Sequence, residues 1–183
     1  MKLFSVFLLS LFLSTSVYAR NDTHGEKPFS LGLGLYRSVI SVDDSQYAND
    51  ELSGIGLSVA YAISDQFGLR GTYFSLEHDD FSAIDSTGFD IVAYLGTGLD
   101  SNGFKGYVGG GFFKDKWQAG GFSESFSGLQ LNGGLGYNWQ SVSLDFILGI
   151  RDAGDYEDFV NEVFGDNVTA AAVTGMILLS ARF

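Results

Sequence analysis

The chain has 183 residues, a formal net charge of −12 and no cysteine. An acidic surface repels phosphate backbones and argues against a nucleic-acid partner. The absence of thiols rules out a disulfide framework and thiolate metal sites, and 25 Gly, 17 Phe and one Pro describe strands and turns better than helices.

The first stretch, Met1–Ala19, has one cation (Lys2), an apolar run from Leu3 to Leu13 and a Val17-x-Ala19 ending. These are the parts of a secretory signal peptide cleaved after Ala19. The run is too short for a membrane helix, and no later run approaches that length. Residues 20–183 then read as one domain.

From Pro28 onward an alternating segment and a turn recur. The first segment, Phe29–Ile40, sets Leu31, Leu33 and Leu35 against Gly32, Gly34 and Tyr36. The second, Leu52–Ile63, sets Ile55, Leu57, Val59 and Tyr61 against Gly54, Gly56, Ser58 and Ala60, and exits through the short turn Ser64-Asp65-Gln66. The third, Phe67–Leu76, carries Leu69 and Tyr73 on one face and Arg70, Thr72 and Phe74 on the other. The fourth, Thr87–Leu99, opposes Phe89, Ile91, Ala93 and Leu95 to Asp90, Val92 and Tyr94. The turn Asp100-Ser101-Asn102-Gly103 follows, with Asn-Gly expected to supply the positive φ angles of a hairpin. In the fifth, Phe104–Lys114, Gly109-Gly110-Gly111 obscures the facing, and Tyr107 and Phe113 are expected outward. The sixth, Phe126–Trp139, places Leu129, Leu131 and Leu135 opposite Gln130, Asn132 and Asn138. The seventh, Val142–Arg151, places Leu144, Phe146, Leu148 and Ile150 opposite Asp145 and Arg151. The closing segment, Val168–Phe183, alternates Val173, Ile177, Leu179 and Phe183 with Thr174, Ser180 and Arg182.

Eight such strands with long and short connections predict an all-β fold, an eight-stranded antiparallel transmembrane up-and-down β-barrel. The second face decides between lipid and water. A soluble barrel shows charges outside, whereas this minor face is mostly Gly, Ser, Ala, Thr, Asn and Gln, which suits a narrow polar interior. Lipid then covers the apolar face. Aromatic girdles are expected from Phe67, Phe104, Trp139 and Phe183 at the short-turn end, and from Phe89, Phe113 and Phe126 at the other. The charged residues of the minor face, Arg70, Asp90, Asp145, Arg151 and Arg182, are expected to form an interior polar network, with Asp145 and Arg182 paired and Arg70 within reach.

The leader, the alternating strands, the outer loops and the terminal Phe together resemble the small outer-membrane β-barrels of Gram-negative bacteria, the OmpA/OmpX-like group, over essentially all of residues 20–183. The resemblance implies residence in the outer membrane. It also implies that the last strand is an assembly signal for the barrel-insertion machinery, carried by Phe183, Leu179 and Ile177; Ala181 and Gly175 are smaller than that pattern usually has. Contact with the lipid bilayer and with lipopolysaccharide, a monomeric state and no cofactor are expected.

Acidic residues such as Asp43, Asp44, Glu77, Asp79, Asp115, Glu124, Asp155 and Asp158 fall in or beside four long connections. They read as a solvated surface or as cation-bridged contacts with lipopolysaccharide, and they lack the spacing of an EF-hand. In the last loop Tyr156, Phe159, Val160, Val163 and Phe164 recur at helical spacing, and a short helix is expected over Asp155–Phe164. Only His24 and His78 could serve as imidazole bases, and neither belongs to a recognisable nucleophile dyad, so no catalytic or metal site is expected and a lipid-A-modifying enzyme is disfavoured. A structural or surface-interaction role is the primary reading. A narrow conduit or binder for a small solute or hydrophobic ligand is the alternative.

Overall fold

The structure, a computed structural model, describes residues 27–42, 50–79, 81, 83–152, 154 and 170–183. The leader and the helix expected over Asp155–Phe164, with Tyr156, Phe159, Val160, Val163 and Phe164, lie outside the described residues. Eight strands follow in order: β1 (Phe29–Val42), β2 (Asp50–Ala62), β3 (Phe67–His78), β4 (Ile84–Thr97), β5 (Gly103–Ala119), β6 (Phe122–Asn138), β7 (Val142–Arg151) and β8 (Ala170–Arg182). Each pairs antiparallel with its sequence neighbour, and β1 pairs with β8 to close the barrel. Closure runs to the last residue, because the Phe183 N–H donates to the Phe29 carbonyl at 2.8 Å and the Phe29 N–H donates back at 3.4 Å. No strand edge is left open around the membrane-spanning part, the condition that a sheet must meet in hydrocarbon.

The two-residue period sorts the side chains. Leu31, Leu33 and Leu35 on β1, Leu129, Leu131 and Leu135 on β6, and Phe146, Leu148 and Ile150 on β7 are exposed, while Tyr36, Gln130, Asp145 and Arg151 are buried. On β5 the apolar band runs from Phe104 to Phe112, a span of the length a tilted strand needs to cross a membrane. Above it, the first polar outward residues are Arg37, Ser53, Ser75, Thr87, Lys114, Ser127 and Asp152. Phe104, Trp139 and Phe183 are exposed at the short-turn end. Tyr137 bridges the first two, its ring 4.9 Å from that of Phe104 and 4.8 Å from that of Trp139.

Four local expectations are corrected. Tyr107 and Phe113 face inward, with Phe104, Val108 and Phe112 outward. The three glycines conceal the parity of β5, and the large inward rings are accepted because glycines stand opposite. Tyr107 lies across from Gly134, and Phe113 across from Gly128. A Cβ added to Gly134 would come within 2.3 Å of the Tyr107 ring. Phe126 also points inward, so the outward aromatics toward the long-connection end include Tyr73, Phe89 and Phe112.

The third outer connection is also not a long loop. β5 and β6 continue to a Gly120-Gly121 turn at φ +55° and +97°, positive values that two-residue hairpins favour. That extension moves Asp115 from a loop into the barrel wall, facing inward. Finally, Asn102 does not adopt positive φ; Gly98 (+75°) and Gly103 (+120°) turn the chain between β4 and β5.

Candidate functional site

Alternation on five strands, β3, β4, β5, β7 and β8, brings the interior charges into two layers and a floor. In the layer nearer the short turns, Lys105 Nζ lies 2.8 Å from Asp145 Oδ2. The Tyr107 hydroxyl donates to Asp145 Oδ1 at 3.0 Å and accepts from Arg70 Nη2 at 2.8 Å. The Arg70 guanidinium sits 5.1 Å from the Tyr94 ring centroid and 5.0 Å from that of Tyr107, a geometry in which the ring faces attract the cation.

The second layer is built on Arg151. Its Nη1 reaches Asp115 Oδ2 at 3.3 Å, and its Nη2 donates to the Tyr36 hydroxyl at 2.9 Å and lies 3.9 Å from Asp90 Oδ2. Its Nε donates to Gln130 Oε1 at 3.4 Å, and the Tyr36 hydroxyl donates in turn to Asp90 at 3.4 Å. The Phe113 ring centroid is 4.4 Å from the guanidinium carbon and that of Phe74 is 5.0 Å away. Ionised groups held away from water require partners of this kind.

The floor is the turn 98–102 folded across the short-turn mouth. Leu99 is buried there. Arg182 donates to the carbonyls of Asp100 (2.5 Å), Trp139 (2.7 Å) and Ser101 (3.3 Å) and to Asn102 Oδ1 (3.0 Å). Asn138 Nδ2 donates to the carbonyls of Gly98 (2.8 Å) and Ser101 (3.0 Å). From outside, Asp65 accepts from the Gly98 N–H at 3.1 Å and the Ser101 hydroxyl at 2.8 Å. Burial alone would push the Asp65 carboxyl up, but these donors hold it below the usual carboxylate range.

All five charged residues expected inside, Arg70, Asp90, Asp145, Arg151 and Arg182, are buried, but the pairing differs from the expectation. Asp145 binds Lys105, and Arg182 binds backbone carbonyls of the turn. Height along the strands sets Arg182 near Asp145, but the turn that caps the mouth takes up its guanidinium. Lys105 carries no assignment in the sequence because glycines hide the facing of β5, and Asp115, expected in or beside a long connection, stands in the barrel wall instead. Phe183, Leu179 and Ile177 line the outside of the closing seam, all exposed.

At the long-connection end, Arg37 is ion-paired with Glu51 and lies 3.6 Å from Asp79. His78 ends β3 facing inward; its Nδ1 accepts from the Phe81 N–H at 3.2 Å, which leaves Nε2 to donate to Asp50 Oδ1 at 3.3 Å. Two interior cavities among the described residues are each about 20 Å³, room for a water-sized occupant.

No protein-family model matches the chain, and no curated protein matches it. Solved structures do. The attachment invasion locus protein of Yersinia pestis aligns over 86% of this chain and 99% of its own at 21% identity, with a TM-score of 0.56. Neisserial surface protein A aligns over 85% and 97% at 16% identity, TM-score 0.59. The outer membrane protein OprG from Pseudomonas aeruginosa aligns over 87% and 98% at 15% identity, TM-score 0.53. At such identities the likeness is one of fold: the chain has the closed eight-stranded architecture of outer-membrane barrels.

Proposed function

We propose that the protein is a monomeric, non-enzymatic outer-membrane barrel with a structural or surface-interaction role, exported on the Met1–Ala19 leader. Phe183, Leu179 and Ile177 serve as its assembly signal, and its long-connection end faces outward toward lipopolysaccharide. One observation carries the reading: a complete apolar exterior surrounds an interior filled by side chains that bond to one another, with the short-turn mouth covered by residues 98–102. Such a barrel offers its outer surface and rim rather than a passage. The surface and attachment roles in the names of two similar folds run in the same direction. Purified barrel inserted into planar bilayers should give no defined conductance steps and should bind lipopolysaccharide-coated surfaces above a zwitterionic control. Regular conductance steps would favour the conduit instead.

A further inference from the structure

The cavity behind the short-turn mouth is lined by more cations than carboxylates. The cations are Lys27, Arg70, Lys105 and Arg182, with Asp145 the one carboxylate in the lining. Asp145 is taken by Lys105 at 2.8 Å. Arg70, only 5% exposed, donates to the neutral Tyr107 hydroxyl and rests on two tyrosine rings. Its Nε is buried with no hydrogen-bond partner among the described residues, and so is the hydroxyl of Ser58, which lines the same cavity. Arg182 is held by carbonyls and an amide. Lys27 reaches the Ser141 hydroxyl and the Arg182 carbonyl. The neighbouring acid Asp65 is engaged by the turn, and neither it nor Asp100 lines the cavity.

The contrast with the rest of the molecule is direct. Arg151, equally buried, has carboxylates of Asp115 and Asp90 beside it, and exposed Arg37 has Glu51. A cation withdrawn from water without a counter-charge is costly. At the mouth three of the four cations have no carboxylate within ion-pairing distance among the described residues.

We infer that this cavity is a binding site for one small inorganic anion of halide size. The cations supply the charge, and Arg70 and Ser58 supply uncommitted donors. The volume of about 20 Å³ matches a single small occupant. Leu99 and the turn 98–102 form the floor, so occupancy ties together the residues that close the mouth.

The test uses the full folded barrel in detergent micelles, unfolded with urea in sodium chloride, sodium bromide or sodium gluconate at equal ionic strength and pH. Halide at ten times its dissociation constant should raise the folded-to-unfolded ratio about tenfold over gluconate. Arg70→Gln should abolish that difference and Arg70→Lys should retain part of it. Ser58→Ala, a small change that leaves the charges in place, should weaken it severalfold. Crystals grown in bromide should show anomalous scattering within the cavity. Equal stability in chloride and gluconate, a halide effect unchanged by both Arg70→Gln and Ser58→Ala, or a water in place of bromide would each overturn the assignment.

Discussion

Tyr107 shows how one side chain joins strand geometry to the interior network. It occupies the space that Gly134 leaves and joins Arg70 to Asp145 through its hydroxyl. Gly134→Ala should therefore displace the ring and both hydrogen bonds, destabilising the barrel by about 1–3 kcal/mol. Gly133→Ala, on the outward face with its nearest neighbour 3.9 Å away, should stay within about 0.5 kcal/mol. Urea unfolding in lipid vesicles measures both, and equal costs would show that Tyr107 is not seated as described. The same assay apportions the charges. Asp145→Asn strands Lys105 and should cost about 3–5 kcal/mol. Combined with Lys105→Met it should show a coupling of about 1–3 kcal/mol, whereas Asp145→Asn with Arg182→Gln should be additive within about 0.5 kcal/mol. A strong Asp145–Arg182 coupling and a weak Asp145–Lys105 coupling would reverse the assignment of partners.

At the scale of elements, the turn 98–102 distinguishes this barrel from an open tube, and Asp65 is its outer latch. Because donors from Gly98 and Ser101 hold the folded Asp65 carboxyl below its ordinary value of 3.8, its contribution to stability is complete above that value. It is lost as pH falls through the lower folded value. The stability gap between wild type and Asp65→Asn should thus be constant from neutral pH to about pH 5 and shrink in strong acid; a gap that widens on acidification would contradict the latch. The strands were legible because alternation such as Leu144, Phe146, Leu148 and Ile150 against Asp145 and Arg151 leaves one face for each residue. β5 was not, since glycine carries no facing preference and the parity of Tyr107 and Phe113 emerges only when Gly134 and Gly128 are known to stand opposite. Individual inward charges followed from parity. Their partners did not, because the Lys105–Asp145 and Arg151–Asp115 contacts depend on register between strands, and the partners of Arg182 depend on a turn that folds over the mouth.

For the whole molecule, the claim on which everything else rests is that lipid bathes one face of every strand and a packed polar interior the other. β7 offers the sharpest contrast, because Ile150 is exposed and Ile147 is buried, so the same side chain occupies opposite faces three residues apart. The chain has no native cysteine, which makes single-cysteine variants unambiguous. Spin labels placed in turn at Phe146, Ile147, Leu148, Gly149 and Ile150 of the barrel folded into vesicles should be read for collisions with oxygen, which concentrates in the bilayer, and with a water-soluble nickel chelate. Labels at Phe146, Leu148 and Ile150 should collide readily with oxygen and little with the chelate, while those at Ile147 and Gly149 should be shielded from both. Accessibility that followed hydrophobicity instead of position, with Ile147 as open to oxygen as Ile150, would contradict the barrel. So would chelate collisions at Phe146, Leu148 and Ile150.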